Sequence, residues 1–172
     1  YGIAPHELLQ HKDRICWLIR KYITNFNGRY GEVKLFISKI FNSDMLRIHK
    51  FQPLNLEEHP CTYNYGILTV HSDGSVGFCP SLPLFFGNIF KNSIESIIKR
   101  MQSHRFFKMR LADLKQCNKC TFWHICGGGC RADALLTTGN IYGPDPYACA
   151  GMKIFSECVI DLLPRTVRRL IL

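Results

Sequence analysis

The sequence predicts an α+β fold: a small β-hairpin with helices and irregular cysteine-bearing loops, preceded by a piece of α/β character. Three observations point there. Apolar residues recur at helical spacing in several stretches, an Asp73-Gly74 pair separates two short apolar runs, and four of the nine cysteines crowd between Cys117 and Cys130 around Gly127-Gly128-Gly129. Helical periodicity buries one face, Asp-Gly between apolar runs signals a hairpin, and three glycines in a row mark a tightly wrapped loop.

Taken in order, residues 5–23 place Leu8, Ile15, Leu18, Ile19, Tyr22 and Ile23 at helical spacing, with Pro5 suited to a first turn. Asn27-Gly28 ends that pattern, and Val33, Leu35 and Ile37 then alternate as a strand would. Two prolines and two glutamates make 52–60 a linker. Residues 67–71 and 75–78 should pair across Ser72-Asp73-Gly74, with Cys61 before the hairpin and Cys79 at its far end. Asn92 followed by Glu95 reads as a capping box opening a helix with an Ile94, Ile97, Ile98 and Met101 stripe. Ser103 should restart a second helix carrying Phe106, Phe107 and Leu111. A short helix after Cys130 ends near Gly139, Pro144-Asp145-Pro146 turns the chain toward Cys149, and the tail from Met152 is amphipathic and helical apart from Pro164. The expected organisation is therefore 1–51 α/β, 52–60 linker, 61–151 cysteine-rich domain and 152–172 helical tail.

Composition excludes several classes. No apolar run approaches the length needed to span a bilayer, and no basic stretch with an apolar core and cleavage site opens the chain. The chain begins at Tyr1, which reads as part of something longer. A net charge of +9 admits an anionic partner, but the basic residues are scattered rather than gathered into a face with interleaved aromatics.

The cysteines carry the chemistry. Nine in 172 residues is an odd count without a secretion signal, which favours metal or catalytic thiols over a disulfide framework. Cys117, Cys120, Cys126 and Cys130 give C-x2-C-x5-C-x3-C. Such spacing arises by chance on the order of once in seven thousand per starting cysteine at this cysteine content. Thiolates two or three residues apart on a turning backbone can share one metal centre, and the glycines leave N–H groups free to face sulfur. Zinc ribbons and bacterial ferredoxins use different spacings, but the ferredoxin run sends its last cysteine to another cluster. A similar crossing would join Cys130 to Cys61 and Cys79, and leave Cys149 to complete the first set. Soft thiolates in this number favour iron–sulfur, with zinc the competitor.

Cys61, twelve residues, Gly74, four residues and Cys79, then the Cys117–Cys130 run and Cys149, resemble the seven-cysteine signature of the SPASM domain, an extension of many radical S-adenosylmethionine (radical SAM) enzymes. Phe86-Gly87-Asn88-Ile89 and Arg131-Ala132-Asp133 after Cys130 are also similar to that family. The resemblance implies two auxiliary [4Fe-4S] clusters: Cys117, Cys120, Cys126 and Cys149 for one, Cys61, Cys79 and Cys130 for the other. Relatives often supply the fourth ligand of the latter from a cysteine just before the motif, and this chain has none there. An open iron, His59 or Glu58, and Cys16 are the alternatives, with an open iron preferred because Cys16 lies on a helical stripe; Cys158 reads as a packing residue.

The sequence lacks C-x3-C-x2-C, the motif at which radical SAM enzymes cleave S-adenosylmethionine, so that chemistry is expected in a preceding part, of whose partial TIM barrel 1–51 would be the remnant. The function the resemblance implies is electron relay or substrate anchoring during radical modification of a peptide, protein or cofactor precursor, in the cytoplasm, with a reductant protein as partner and neither membrane nor nucleic acid. The alternatives are a standalone iron–sulfur electron carrier or peptide-binding module, and a zinc-dependent nucleic-acid-binding protein. Trp123, Phe122 and His124 stand within the ligand loop as packing or shell residues, and Arg131 and Asp133 are expected to pair with each other.

Overall fold

In the computed structural model, residues 3–25, 54–61, 67–163, 165, 168 and 169 are described. The expected strand at 33–37, the Asn27-Gly28 break and the first part of the linker lie outside them. Among the described residues no helix is long and apolar enough to cross a membrane.

The N-terminal helix is two helices rather than one. α1 (Pro5–Gln10) starts at Pro5, its free Ala4 N–H donating to the Glu7 carboxylate at 2.8 Å. His11, at φ −93° and ψ 11°, breaks the run, and α2 (Lys12–Asn25) follows. Of the expected stripe, Ile19 is fully buried, while Leu18 and Tyr22 face solvent.

The hairpin forms where Asp-Gly puts it and gains a third strand. β1 (Thr69–Val70) pairs antiparallel with β2 (Ser75–Cys79), Val70 opposite Val76. The turn is tied by Asp73, whose carboxylate accepts from the Ser75 N–H at 2.9 Å, and Gly74 takes φ +80°. β3 (Leu82–Asn88) then adds to the far side of β2, giving the order β1-β2-β3 with two irregularities in register. Pro83 argues against a strand in the sequence, yet it is tolerated because β3 is an edge.

α3 (Ile94–Ser103) is capped by Ser93, not Asn92: the Ser93 hydroxyl accepts from the Ser96 N–H at 3.3 Å, and Asn92 instead accepts from the Asn88 N–H. Ile97 and Met101 are the buried members of its stripe. The expected second helix is replaced by two 3₁₀ turns, Arg105–Lys108 and Leu111–Asp113, the first capped by His104 Nδ1 accepting from the Phe106 N–H. α4 (Trp123–Cys126), α5 (Arg131–Thr138) and α6 (Pro146–Cys158) complete the helices, and α6 begins six residues before Met152, where the sequence placed the helical tail.

Two apolar cores result. One gathers Ile19 of α2 and Ile154, Phe155, Val159 and Ile160 of α6 and the turn beyond it. The other gathers Val76 and Phe78 of β2, Ile97 of α3, and Phe106, Leu111 and Leu114. α4 lies between them, with Ile125 in the first and Trp123 in the second. The cysteine run therefore threads the junction of the two cores.

Candidate metal centre

The backbone from Cys117 to Cys149 is wound by local hydrogen bonds that turn each thiol inward or outward. Cys117 opens a 3₁₀ turn closed by the Cys120 N–H donating to its carbonyl at 2.9 Å. The Trp123 N–H donates to the Cys120 carbonyl and the Cys126 N–H to the Phe122 carbonyl, so α4 delivers Cys126 one turn further on. Asp145 caps α6, accepting from the Tyr147 and Ala148 N–H groups at 2.8 and 3.1 Å, and Pro146 fills the first helical position, where its missing N–H costs nothing. Cys149 thereby stands in the first turn of α6.

These turns place Cys117, Cys120, Cys126 and Cys149 on the wall of one cavity of about 300 Å³, with Phe122, Trp123, Asp145, Met152 and Lys153 also lining it. His124 is exposed and does not line it. The glycines close the wall. Gly128 and Gly129 sit at φ +93° and +73°; a Cβ on Gly128 would lie 2.5 Å from Leu114 Cδ1, and one on Gly129 would lie 2.5 Å from Ala148 Cβ and 2.6 Å from Asp145 Oδ2. The Gly128 N–H faces the Cys126 sulfur. Soft donors ringing an apolar cavity, with a backbone donor aimed at one of them, suit a thiolate-bound cluster.

Burial governs the thiols. It pushes Cys126 up to about 12, against the opposing Gly128 N–H and with Cys149, Asp145 and Cys117 adding to the rise. Burial also raises Cys117 and Cys149, the nearby Arg131 guanidinium working the other way in both. Without a metal these groups are protonated at neutral pH, so ligation must release protons.

The remaining expected ligands stand elsewhere. Cys61 and Cys79 are half-buried against the sheet-side core, and the Leu82 N–H donates to Cys79 Sγ at 3.3 Å. Cys130 stands at the N-cap of α5, where partial burial of its sulfur raises the thiol and the Asp133 and Ala132 N–H groups oppose that rise. Its own N–H donates to Asp145 at 2.8 Å. Among the described residues, no three His, Cys, Asp or Glu side chains converge closely enough to hold a single metal ion.

Two of the alternatives to an open iron fall away, and the readings of Cys158 as packing and of Arg131 as paired with Asp133 need correction. Cys16 is disulfide-bonded to Cys158, tying α2 to α6, and in this state is not a cluster ligand; Cys158 is correspondingly more than packing. His59 is buried with both ring nitrogens engaged: Nε2 lies 2.8 Å from the Phe106 carbonyl, and Nδ1 lies 3.1 Å from the Cys61 N–H. A ring so occupied has no lone pair left for iron. Arg131 does not pair with Asp133; it donates to the carbonyls of Gly128, Ile141 and Gly143. The Asp145 bridge between Cys130 and α6 was absent from the sequence reading, although Asp-Pro before an apolar helical run is a recognisable helix start.

The SPASM iron–sulfur cluster-binding domain matches residues 61–121, a span holding Cys61, Cys79, Cys117 and Cys120. The chain carries a SPASM domain. Cys126, Cys130 and Cys149 lie beyond the matched span of this SPASM domain, on the structure continuous with it. The chain is also 32% identical over 74 residues to the cysteine-type anaerobic sulfatase-maturating enzymes of two strains of Clostridium perfringens. That similarity covers 41% of this chain and 19% of each relative. No solved structure matches the chain.

Proposed function

We propose that this SPASM domain holds two auxiliary [4Fe-4S] clusters within a radical SAM protein that modifies a peptide, protein or cofactor precursor. The observation that carries the reading is the single cavity lined by Cys117, Cys120, Cys126 and Cys149. These four would hold one cluster. Cys61, Cys79 and Cys130 would hold the other, with its last iron open to substrate or water. Such clusters supply one-electron transfer at a potential set by ligation, hydrogen bonds to sulfur and burial.

The chain's own residues do the rest. The thiols lose their protons on ligation, the Gly128 N–H stabilises the sulfur of Cys126, and Phe122 and Trp123 keep water from the cavity. The substrate class follows the sulfatase-maturating relatives, and a peptide or protein is therefore the expected partner, together with a reductant protein, in the cytoplasm.

The test is iron, sulfide and zinc content of protein purified without oxygen. About eight iron and eight sulfide per chain are expected, falling by about half in Cys126→Ser and by about half in Cys130→Ser. Colourless protein holding about two zinc ions overturns the reading.

A further inference from the structure

The cavity has a buried cation behind its wall. Arg131 is 1% exposed. Its guanidinium is held by backbone alone: Nη1 donates to the Ile141 carbonyl at 3.0 Å and the Gly143 carbonyl at 2.7 Å, and Nη2 donates to the Gly128 carbonyl. Among the described residues no carboxylate lies within ion-pair distance of it. Gly128 is itself part of the cavity lining, so the charge sits one backbone layer from the thiols.

A buried charge with no carboxylate in contact is costly, and the carbonyl dipoles together with the more distant Asp145 offset only part of that cost. Asp145, also 1% exposed, lines the same cavity, but its carboxylate is spent on the N–H groups of Cys130, Tyr147 and Ala148. Four thiolates around a +2 core would carry about −2, which is the missing counter-charge. Arginine stays protonated throughout the working pH range, so this positive charge is permanent.

We propose that Arg131 is a positioning residue of the cavity, fixing the Gly128 wall and favouring the electron-rich state of a cluster held by Cys117, Cys120, Cys126 and Cys149. Asp145 acts in the opposite sense on the same cluster. This rests on the cluster assignment proposed above. The two charges differ in sign at comparable burial, so their removal has opposite consequences for an added electron.

The experiment is a redox titration, followed by electron paramagnetic resonance, of the full chain purified without oxygen. The signal followed is the one missing from Cys126→Ser. Arg131→Gln is expected to lower the midpoint potential, Asp145→Asn to raise it, and Arg131→Lys to stay nearer to the wild type than Arg131→Gln does. Structural damage alone would not produce shifts of opposite sign. Both variants moving in one direction, or neither moving with iron content intact, overturns the proposal. If Arg131→Gln does not hold iron, a lowered or unmoved potential in Asp145→Asn still overturns it. A wild-type chain without iron and sulfide sinks the cluster assignment instead, and the two failures are distinct.

Discussion

Helix α6 carries two cysteines nine positions apart that live in different regimes. Cys149, in the first turn, is a free thiol on the cavity wall; Cys158, in the last, is 1% exposed and bonded to Cys16 of α2. Around Cys158 the structure is conventional helix packing, with Ile19 of α2 against Ile154 and Phe155 of α6. Around Cys149 it is irregular backbone held by caps, carbonyl contacts and glycines, with the apolar side chains lining a cavity rather than filling it. The lesson is that one helix can be secured by its core at one end while its other end stays available to hold something else.

The largest effect should come from cutting the secured end. The Cys16–Cys158 bond closes a loop with a sequence separation of 142 residues. In the chain-entropy model a loop of that size is worth about 5 kcal/mol, with 2–4 kcal/mol more usual in practice. The double variant Cys16→Ser, Cys158→Ser should therefore lose that much stability against urea, relative to the oxidised wild type. With dithiothreitol present the difference should vanish. Iron content should not change; a fall would mean that the two ends of α6 are not independent, and the comparison would fail.

At the other end the sensitive points are glycines. Gly129→Ala puts a Cβ into Ala148 and Asp145 at a left-handed φ, and should cost about 2–4 kcal/mol. Gly139 has the same hand of backbone, φ +71°, but nothing within 4 Å of a Cβ, so Gly139→Ala isolates the strain and should cost about 1 kcal/mol. Chemical denaturation of both variants checks the pair. Equal losses would mean that close approach at the cavity wall contributes nothing.

The two ends were not equally legible from sequence. The cavity end announces itself, because C-x2-C-x5-C and a glycine triplet are local patterns, and the Asp-Pro pair fixes where Cys149 must fall. The latch end is silent: Cys16 and Cys158 sit on ordinary stripes, and nothing local can pair residues so far apart. Other misses have local physical causes. β3 hides behind Pro83, which an edge strand accepts, and Ser93 displaces Asn92 as the cap because Asn92 serves the Asn88 turn instead. His59 is only one of several candidate ligands in sequence, and the Phe106 carbonyl that occupies it comes from a segment 47 residues on.

The smallest effect is a pH dependence confined to protein stripped of iron. Burial holds Cys126 at about 12, above its ordinary value of 9.0, and raises Cys117 and Cys149 as well. A thiol whose folded value is raised stays neutral in the fold while the unfolded chain already ionises. Below pH 9 both states are protonated and stability is unaffected. From pH 9 toward 12 the unfolded state binds fewer protons than the fold, so stability falls as pH rises. Urea midpoints measured without oxygen on the Cys16→Ser, Cys158→Ser background should be flat to about pH 8 and then decline. Adding Cys126→Ala should make the decline shallower without abolishing it, because Cys117 and Cys149 still titrate. A midpoint that rises across this window, or a slope indifferent to Cys126, would mean that the cavity is wetter than its apolar lining implies, and the contrast between the two ends of α6 would lose its electrostatic half.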